Sequence, residues 1–379
     1  MPSSARSGKK ESGLSLFHID AGEEWRGGQR QSLFLVRELK KKGFPVEFVV
    51  QPGSPLHEKA VEAGLSVLPL RMRSEFDPIA VWRLSRQMKR RGCRLAHFHD
   101  AHGLAIGASA ARRASVPVRI ISRRVDFPLK SRRKYTREID AVIAISEGVR
   151  KVLLDSGVPP ALIRVIPSGI DFSPFEEVTP RDFLRREFSF TPDDYLVGIV
   201  AALEDHKGHA YLIEASKIVR EQASKVKFIV VGTGSLRLEL DRQARDLGVQ
   251  DIVYFLGFRD DVPRILASLD LFVLSSHHEG LGTSLLDAMA SRLPVVATQA
   301  GGIPEVVKDR ETGLLVPPRD AAGLARAILE LYRNRDLASR LAGRGYDVVH
   351  ECFSAEAMAD RVVDLYKEVA ARKGVRLLT

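Results

Sequence analysis

A chain of 379 residues, 45% hydrophobic and 28% charged, is too long for one ordinary core and too apolar for a disordered protein, so two globular domains are expected. No apolar run approaches the ~20 residues of a spanning helix, and behind the polar, basic opening MPSSARSGKKESG the piece LSLF is too short for a signal-peptide core. The net charge of +10 is uneven: residues 1–175 carry 31 Lys+Arg against 17 Asp+Glu, or +14, and the remainder stands at −4. That bias fits either a solvated surface or a first half that meets something anionic: nucleic acid, a membrane surface or a phosphorylated acceptor. Cys93 and Cys352 make neither a disulfide framework nor a metal spacing, which fits reduced thiols in a cytoplasmic protein.

Along the chain, LSLFHI, PVEFVV, LSVLPL, LAHFH, VRIIS and AVIAIS read as strands of the first half. YLVGIVA, VKFIVVG, IVYFLG, LFVLSS and PVVAT read as strands of the second. Helical periods separate them, so two doubly wound α/β domains are expected. The tail is placed at 1–13, the first domain at 14–175 and the second at 176–353. The boundary falls in VIPSGIDFSPFEEVTP, rich in Pro and without periodicity. A final helix over 354–379 follows a cap at Ser354, with Met358, Val362, Leu365, Tyr366 and Val369 on one face.

Several stretches carry chemistry. Gly27 and Gly28 of WRGGQ separate the first strand from a helix. LAHFHDAHG brings together His97, His99 and His102, which invites a metal reading, but no second His/Cys cluster supports one. Ser146 is an N-cap, and RRVDFPLKSRRKY is the densest basic stretch, with Arg123, Arg124, Lys130, Arg132, Arg133 and Lys134. Gly232-Thr-Gly234 after a strand lacks the third glycine of a dinucleotide fingerprint, whose place Arg237 takes. In HHEGLGTSLLDAMA, Gly280 and Gly282 let backbone approach a ligand. The amides of Thr283 and Ser284 at a helix N-terminus can seat a phosphate. Glu279 and Asp287 can accept hydrogen bonds from hydroxyls. Each of these residues has an ordinary explanation by itself; together they fit a ligand with both phosphate and hydroxyls, such as a nucleotide sugar.

Glu279-Gly-Leu-Gly-Thr-Ser-Leu-Leu-Asp287, followed by AMASRLPVVATQAGGIPEVV, resembles the signature of family-4 retaining glycosyltransferases of the GT-B fold. The resemblance implies two Rossmann-like domains facing a cleft and transfer of a sugar from a UDP-, GDP- or ADP-sugar to an acceptor hydroxyl. It assigns donor-sugar hydroxyls to Glu279 and the ribose to Asp287, where relatives usually have Glu. Lys207, ahead of Gly208, is assigned to the diphosphate; relatives commonly add an Arg five residues earlier, where this chain has Ala202. By the same resemblance Gly27 and Gly28 face the diphosphate, His99 faces the transferred bond, and Gly232 and Gly234 lie beside the nucleotide. Phe258 and Arg259 border the base, and Leu281, Gly301, Gly302 and Glu305 lie near the donor.

The implied partners are a nucleotide sugar and a glycan or lipid-linked acceptor, for cell-envelope glycan, lipopolysaccharide or glycolipid synthesis. Arg123, Arg124, Arg132, Arg133 and Lys134 would meet the acceptor or an anionic membrane face, as in a cytoplasmic, peripheral enzyme. No cofactor, metal or nucleic acid is expected, and no Asp-x-Asp occurs. The rivals are a nucleotide-sugar epimerase or hydrolase of the same fold and a non-catalytic module binding anionic lipid or nucleic acid. An NAD dehydrogenase ranks last.

Overall fold

The computed structural model describes residues 15–129, 131–176 and 182–377. The opening tail and Lys130 lie outside the described residues. β-Branched and aromatic runs, mostly buried on both faces, build two all-parallel sheets. The first sheet holds β1 (Leu16–Asp20), β2 (Val46–Val50), β3 (Val67–Pro69), β4 (Leu95–Phe98), β5 (Val118–Arg123), β6 (Ala141–Ala144) and β7 (Ile163–Val165), in the order β3-β2-β1-β4-β5-β6-β7. The second holds β8 (Tyr195–Val200), β9 (Val226–Val231), β10 (Val253–Gly257), β11 (Leu271–Leu274), β12 (Val295–Thr298) and β13 (Leu314–Val316), in the order β10-β9-β8-β11-β12-β13.

Two strands, β7 and β13, go beyond the sequence reading. Each is three residues at a sheet edge, and Arg164 in the middle of β7 is exposed. Strand order reverses between β1 and β4 and again between β8 and β11. Such reversals leave a crevice at the carboxyl ends of the strands, where ligands of open α/β sheets bind.

The chain leaves the first sheet after Val165, and the short helix Phe183–Glu187 already packs on the second domain, where Leu184 N donates to Ser268 Oγ at 3.3 Å. The return is made at the end. Ile170 and Ser354 form a bridge, and Ser354 caps the helix Ala355–Arg372 by accepting from Ala357 N at 3.0 Å. Met358, Val362, Leu365, Tyr366 and Val369 of that helix share a core with Leu33, Val36 and Leu39 of the helix Gly27–Lys41. The last helix therefore packs on the first domain, although it follows the second in sequence.

Candidate active site

Four loops meet at the two switch points. Gly27 follows β1, His99 follows β4, Lys207 follows β8 and Glu279 follows β11. Gly27 and Gly28, read from the sequence as lying between the first strand and a helix, are the first two residues of that helix, whose N-cap Arg26 makes no side-chain cap. The helix Thr283–Ala290 also starts without one. The two N-termini face each other so closely that a Cβ on Gly27 would lie 3.3 Å from Thr283 Oγ1. Two uncapped N-termini place unpaired amides and two positive dipole ends in one place, which favours an anion.

Beside them Lys207 Nζ pairs with Glu279 Oε2 at 2.5 Å, and Ser276 Oγ donates to the same oxygen at 3.2 Å. Both charged side chains are largely buried. Gly208 stands at φ +66, and a Cβ there would run into the Ser275 carbonyl, so this turn into the helix His209–Gln222 requires glycine. Gly280 is needed for a different reason: its α-carbon lies against the Arg124 carbonyl of the first domain, leaving no room for a side chain.

The domains are tied at several points. Glu279 N donates to Asp126 Oδ2 at 3.0 Å, and Ser146 Oγ donates to Gly280 O at 2.6 Å while accepting from Val149 N as a helix cap. Arg30 Nη1 meets Asp287 Oδ2 at 2.6 Å. Glu305 accepts from the amides of Glu147 at 2.8 Å and Gly148 at 3.0 Å, so its carboxylate caps a helix of the opposite domain. Gly301 and Gly302 lie against Glu279 and Gly280. Leu281 is buried.

The structure brings Glu279, Lys207, Gly27, Gly28, Gly280, Gly282, Thr283, Ser284 and Asp287 into one region. Gly232 and Gly234 lie against the backbone of Ala201 and Leu203, at the start of the loop that carries Lys207. Arg259 is held by Glu187 and Asp261, next to an exposed Phe258. The basic stretch divides. Arg124 turns into the domain interface near Gly28, Arg123 donates to Phe127 O at 2.6 Å, and Arg132 and Arg133 are exposed on a short helix. Lys134 pairs with Glu75 at 2.7 Å.

Sequence reasoning did not single out Arg30, Asp126 or His18, and it named Tyr366 only as part of the apolar face of the last helix. Arg30 and Asp126 are paired with partners more than a hundred residues away, and His18 reads as one more strand residue. The histidine cluster differs in membership from the sequence grouping. His18, His97 and His99 are together and buried, each offering one ring nitrogen within 4.8 Å of the others, whereas His102 is not in the group. Burial holds His97 and His99 well below the usual histidine range and pushes His18 down to about 3, with Arg124 adding to the effect in all three. That direction favours the neutral ring at all three positions.

Residues 25–173 match the family Glycosyltransferase Family 4, and residues 180–348 match Glycosyl transferases group 1. The lipopolysaccharide core biosynthesis glycosyltransferase LpsE of Rhizobium meliloti is 35% identical over 65% of this chain and 68% of its own length. The chain belongs to the group 1, family-4 glycosyltransferases. A second relative of this glycosyltransferase is the GDP-mannose-dependent alpha-(1-6)-phosphatidylinositol monomannoside mannosyltransferase of Mycobacterium tuberculosis, 29% identical over 60% of this chain and 62% of its own length. The chain spans about half the length of some other relatives it matches. Among solved structures, Anabaena Alr3699/HepE in complex with UDP and glucose superposes with a TM-score of 0.84 over 94% of this chain and 100% of that one, at 20% identity. The GT-B architecture of this glycosyltransferase is thereby shared with HepE.

Proposed function

We propose that the protein is a retaining, metal-independent glycosyltransferase that moves a sugar from a nucleotide-diphosphate sugar to a glycan or lipid-linked acceptor of the cell envelope. One observation carries this reading: two uncapped helix N-termini converge beside the Lys207–Glu279 pair at both switch points. A departing diphosphate gains charge as the glycosidic bond breaks, and fixed amides plus Lys207 would stabilise it there. Glu279 would accept from the donor-sugar hydroxyls and Asp287 from the ribose. Arg124 lies near Gly28, with the carboxylate charges of Asp20 and Asp100 acting on it, and it would supply the positive charge that Ala202 cannot.

Turnover measured with a panel of UDP-, GDP- and ADP-sugars tests this. The expected result is an α-linked product from an α-linked donor, formed only with acceptor and unchanged by EDTA. Sugar release or epimerisation without acceptor would point instead to the hydrolase or epimerase. A relative in lipopolysaccharide core synthesis and another named for a phosphatidylinositol glycolipid support an envelope acceptor.

Peripheral membrane attachment forms part of the reading. No helix among the described residues is long and apolar enough to cross a membrane. Next to the exposed Arg132 and Arg133, joined through Lys134–Glu75, Phe76, Ile79 and Trp82 are 87%, 59% and 48% exposed. Ile79, Trp82, Arg83, Arg86 and Arg90 recur at helical spacing on the outer side of the helix Pro78–Arg90, whose inner side buries Ala80, Leu84 and Met88. Large apolar groups among arginines suit the headgroup region of an anionic bilayer, at about 1 kcal/mol per basic residue. Sedimentation with phosphatidylglycerol vesicles at low salt is expected to fall for Trp82→Ser and for Arg132→Gln with Arg133→Gln. Equal sedimentation of variants and parent would remove the membrane from the reading.

A further inference from the structure

The polar groups behind His99 form a series whose directions follow from which atoms can donate and from pairing every buried proton. Arg124 Nη2 lies 3.4 Å from His99 Nδ1, and its Nη1 donates to His99 O at 3.3 Å. His99 Nε2 lies 2.9 Å from His18 Nδ1, and His18 Nε2 lies 3.4 Å from Tyr366 Oη. Tyr366 Oη lies 2.5 Å from His97 Nδ1, and His97 Nε2 lies 2.8 Å from Ser122 Oγ.

A guanidinium only donates, so His99 Nδ1 must accept. A neutral imidazole has one donor and one acceptor, so His99 Nε2–H donates to His18 Nδ1. By the same rule His18 Nε2–H donates to Tyr366 Oη. Among the described residues the buried phenol has His97 Nδ1 as its remaining acceptor, so it donates there, and His97 Nε2–H donates to Ser122 Oγ. Every link is satisfied in this one direction. Reversing the links from Arg124 to Tyr366 would require an arginine to accept, and reversing those of His97 alone would leave the phenol proton without a partner.

We infer that Arg124, His99, His18, Tyr366, His97 and Ser122 form a single one-way hydrogen-bond chain, and that Tyr366 is through it a positioning residue for His99. All three histidines are then Nε2–H tautomers. Both nitrogens of His99 are engaged, which rules out proton transfer by that ring and leaves it the task of holding its place and that of Arg124 at the cleft. Tyr366 sits on the helix Ala355–Arg372, which packs on the helix that begins at Gly27, so the end of the chain fixes a group at the candidate site from behind. The three nitrogens could in principle hold a metal ion. Against that, each ring nitrogen already has a hydrogen-bond partner, and the Arg124 cation stands against His99. The part of the inference that concerns turnover rests on the function proposed above; the tautomers do not.

The test is long-range proton–nitrogen correlation on protein labelled with 15N-histidine, which distinguishes the two tautomers and the imidazolium directly. Three of the ten histidines are expected as Nε2–H forms with unprotonated Nδ1. Tyr366→Phe removes the acceptor of His18 and the donor to His97. Its expected result is shifted nitrogen signals for His18 and His97, a fall in kcat of roughly tenfold and little change in donor KM. Elemental analysis of the wild-type protein is expected to find no stoichiometric metal. A stoichiometric metal, an Nδ1–H or doubly protonated form among the three, or a Tyr366→Phe protein with unchanged signals and kcat would each overturn the inference. Loss of transfer in the wild-type protein, with the tautomers as expected, would count against the proposed function and not against the chain.

Discussion

Lys207→Ala is expected to lower kcat by roughly 10²–10³-fold, the range found when one preorganised electrostatic group is removed from a reacting centre. The charge that builds on a departing diphosphate is absent from the bound donor, so a cation aimed at it acts on the rate more than on affinity. Donor KM should therefore change much less than kcat. Glu279→Gln should behave differently. Its carboxylate is paired with Lys207 at 2.5 Å and accepts from Ser276, so the amide keeps the shape, loses the charge and weakens the hold on Lys207. A loss in both kcat and donor affinity is expected, because a hydroxyl-binding group serves ground state and transition state alike. Steady-state kinetics at saturating acceptor separate the two patterns. Wild-type turnover in both variants would show that the chemistry lies elsewhere.

The second large effect concerns stability. Asp287 is 5% exposed at its side chain and Arg30 is 25% exposed, and they meet at 2.6 Å between the two domains. Asp287 Oδ1 has no other partner among the described residues. Burial raises the Asp287 carboxyl above its ordinary range, opposed by the charge and hydrogen bond of Arg30. Breaking one side of a buried pair costs about 3–5 kcal/mol, and Arg30→Ala is expected to approach that range at neutral pH.

The sign of the pH dependence follows from linkage. An acid whose folded-state pKa is raised costs nothing below its unfolded value, and its cost accumulates as pH rises through the raised value. Without Arg30 the upward push on Asp287 is unopposed and the cost at neutral pH is larger. The gap between Arg30→Ala and the parent should therefore narrow on acidification, as Asp287 takes up a proton and no longer needs a cation. Urea unfolding at neutral pH and near the ordinary carboxylate range reads this directly. A gap that stays constant with pH would mean that the pair contributes little to stability. Asp287→Asn, which leaves Arg30 without its anion, should show the deficit without this recovery.

The fold was legible because its signals are local. Runs such as VKFIVV and LFVL are apolar on both sides of the strand, which only a covered parallel sheet accommodates, and they alternate with amphipathic helices. β7 escaped notice because the exposed Arg164 breaks its apolar run, and β13 because its three residues lie between Gly313 and two prolines. In the loops, Gly208 and Gly280 marked places where backbone must turn or approach closely, and that requirement is written in the residue type. The partners of those loops could not be read. Nothing in the spacing of Arg30 and Asp287, or of Glu305 and Gly148, indicates that they touch across the domain interface. Histidine grouping by nearness in sequence took in His102, while the true neighbour of His97 and His99 is His18 on the adjacent parallel strand.

By itself, then, the sequence determined two doubly wound domains, the loops that face the crevice and the chemical types placed on them, since each follows from periodicity, glycine and charge within a few residues. Only the tertiary structure decided which charges are paired, which helix ends converge, and that Tyr366 reaches His18 and His97 from the far end of the chain. Those facts depend on how strands order in a sheet and how two domains dock, and contacts of that range leave no periodic trace in the residues between them.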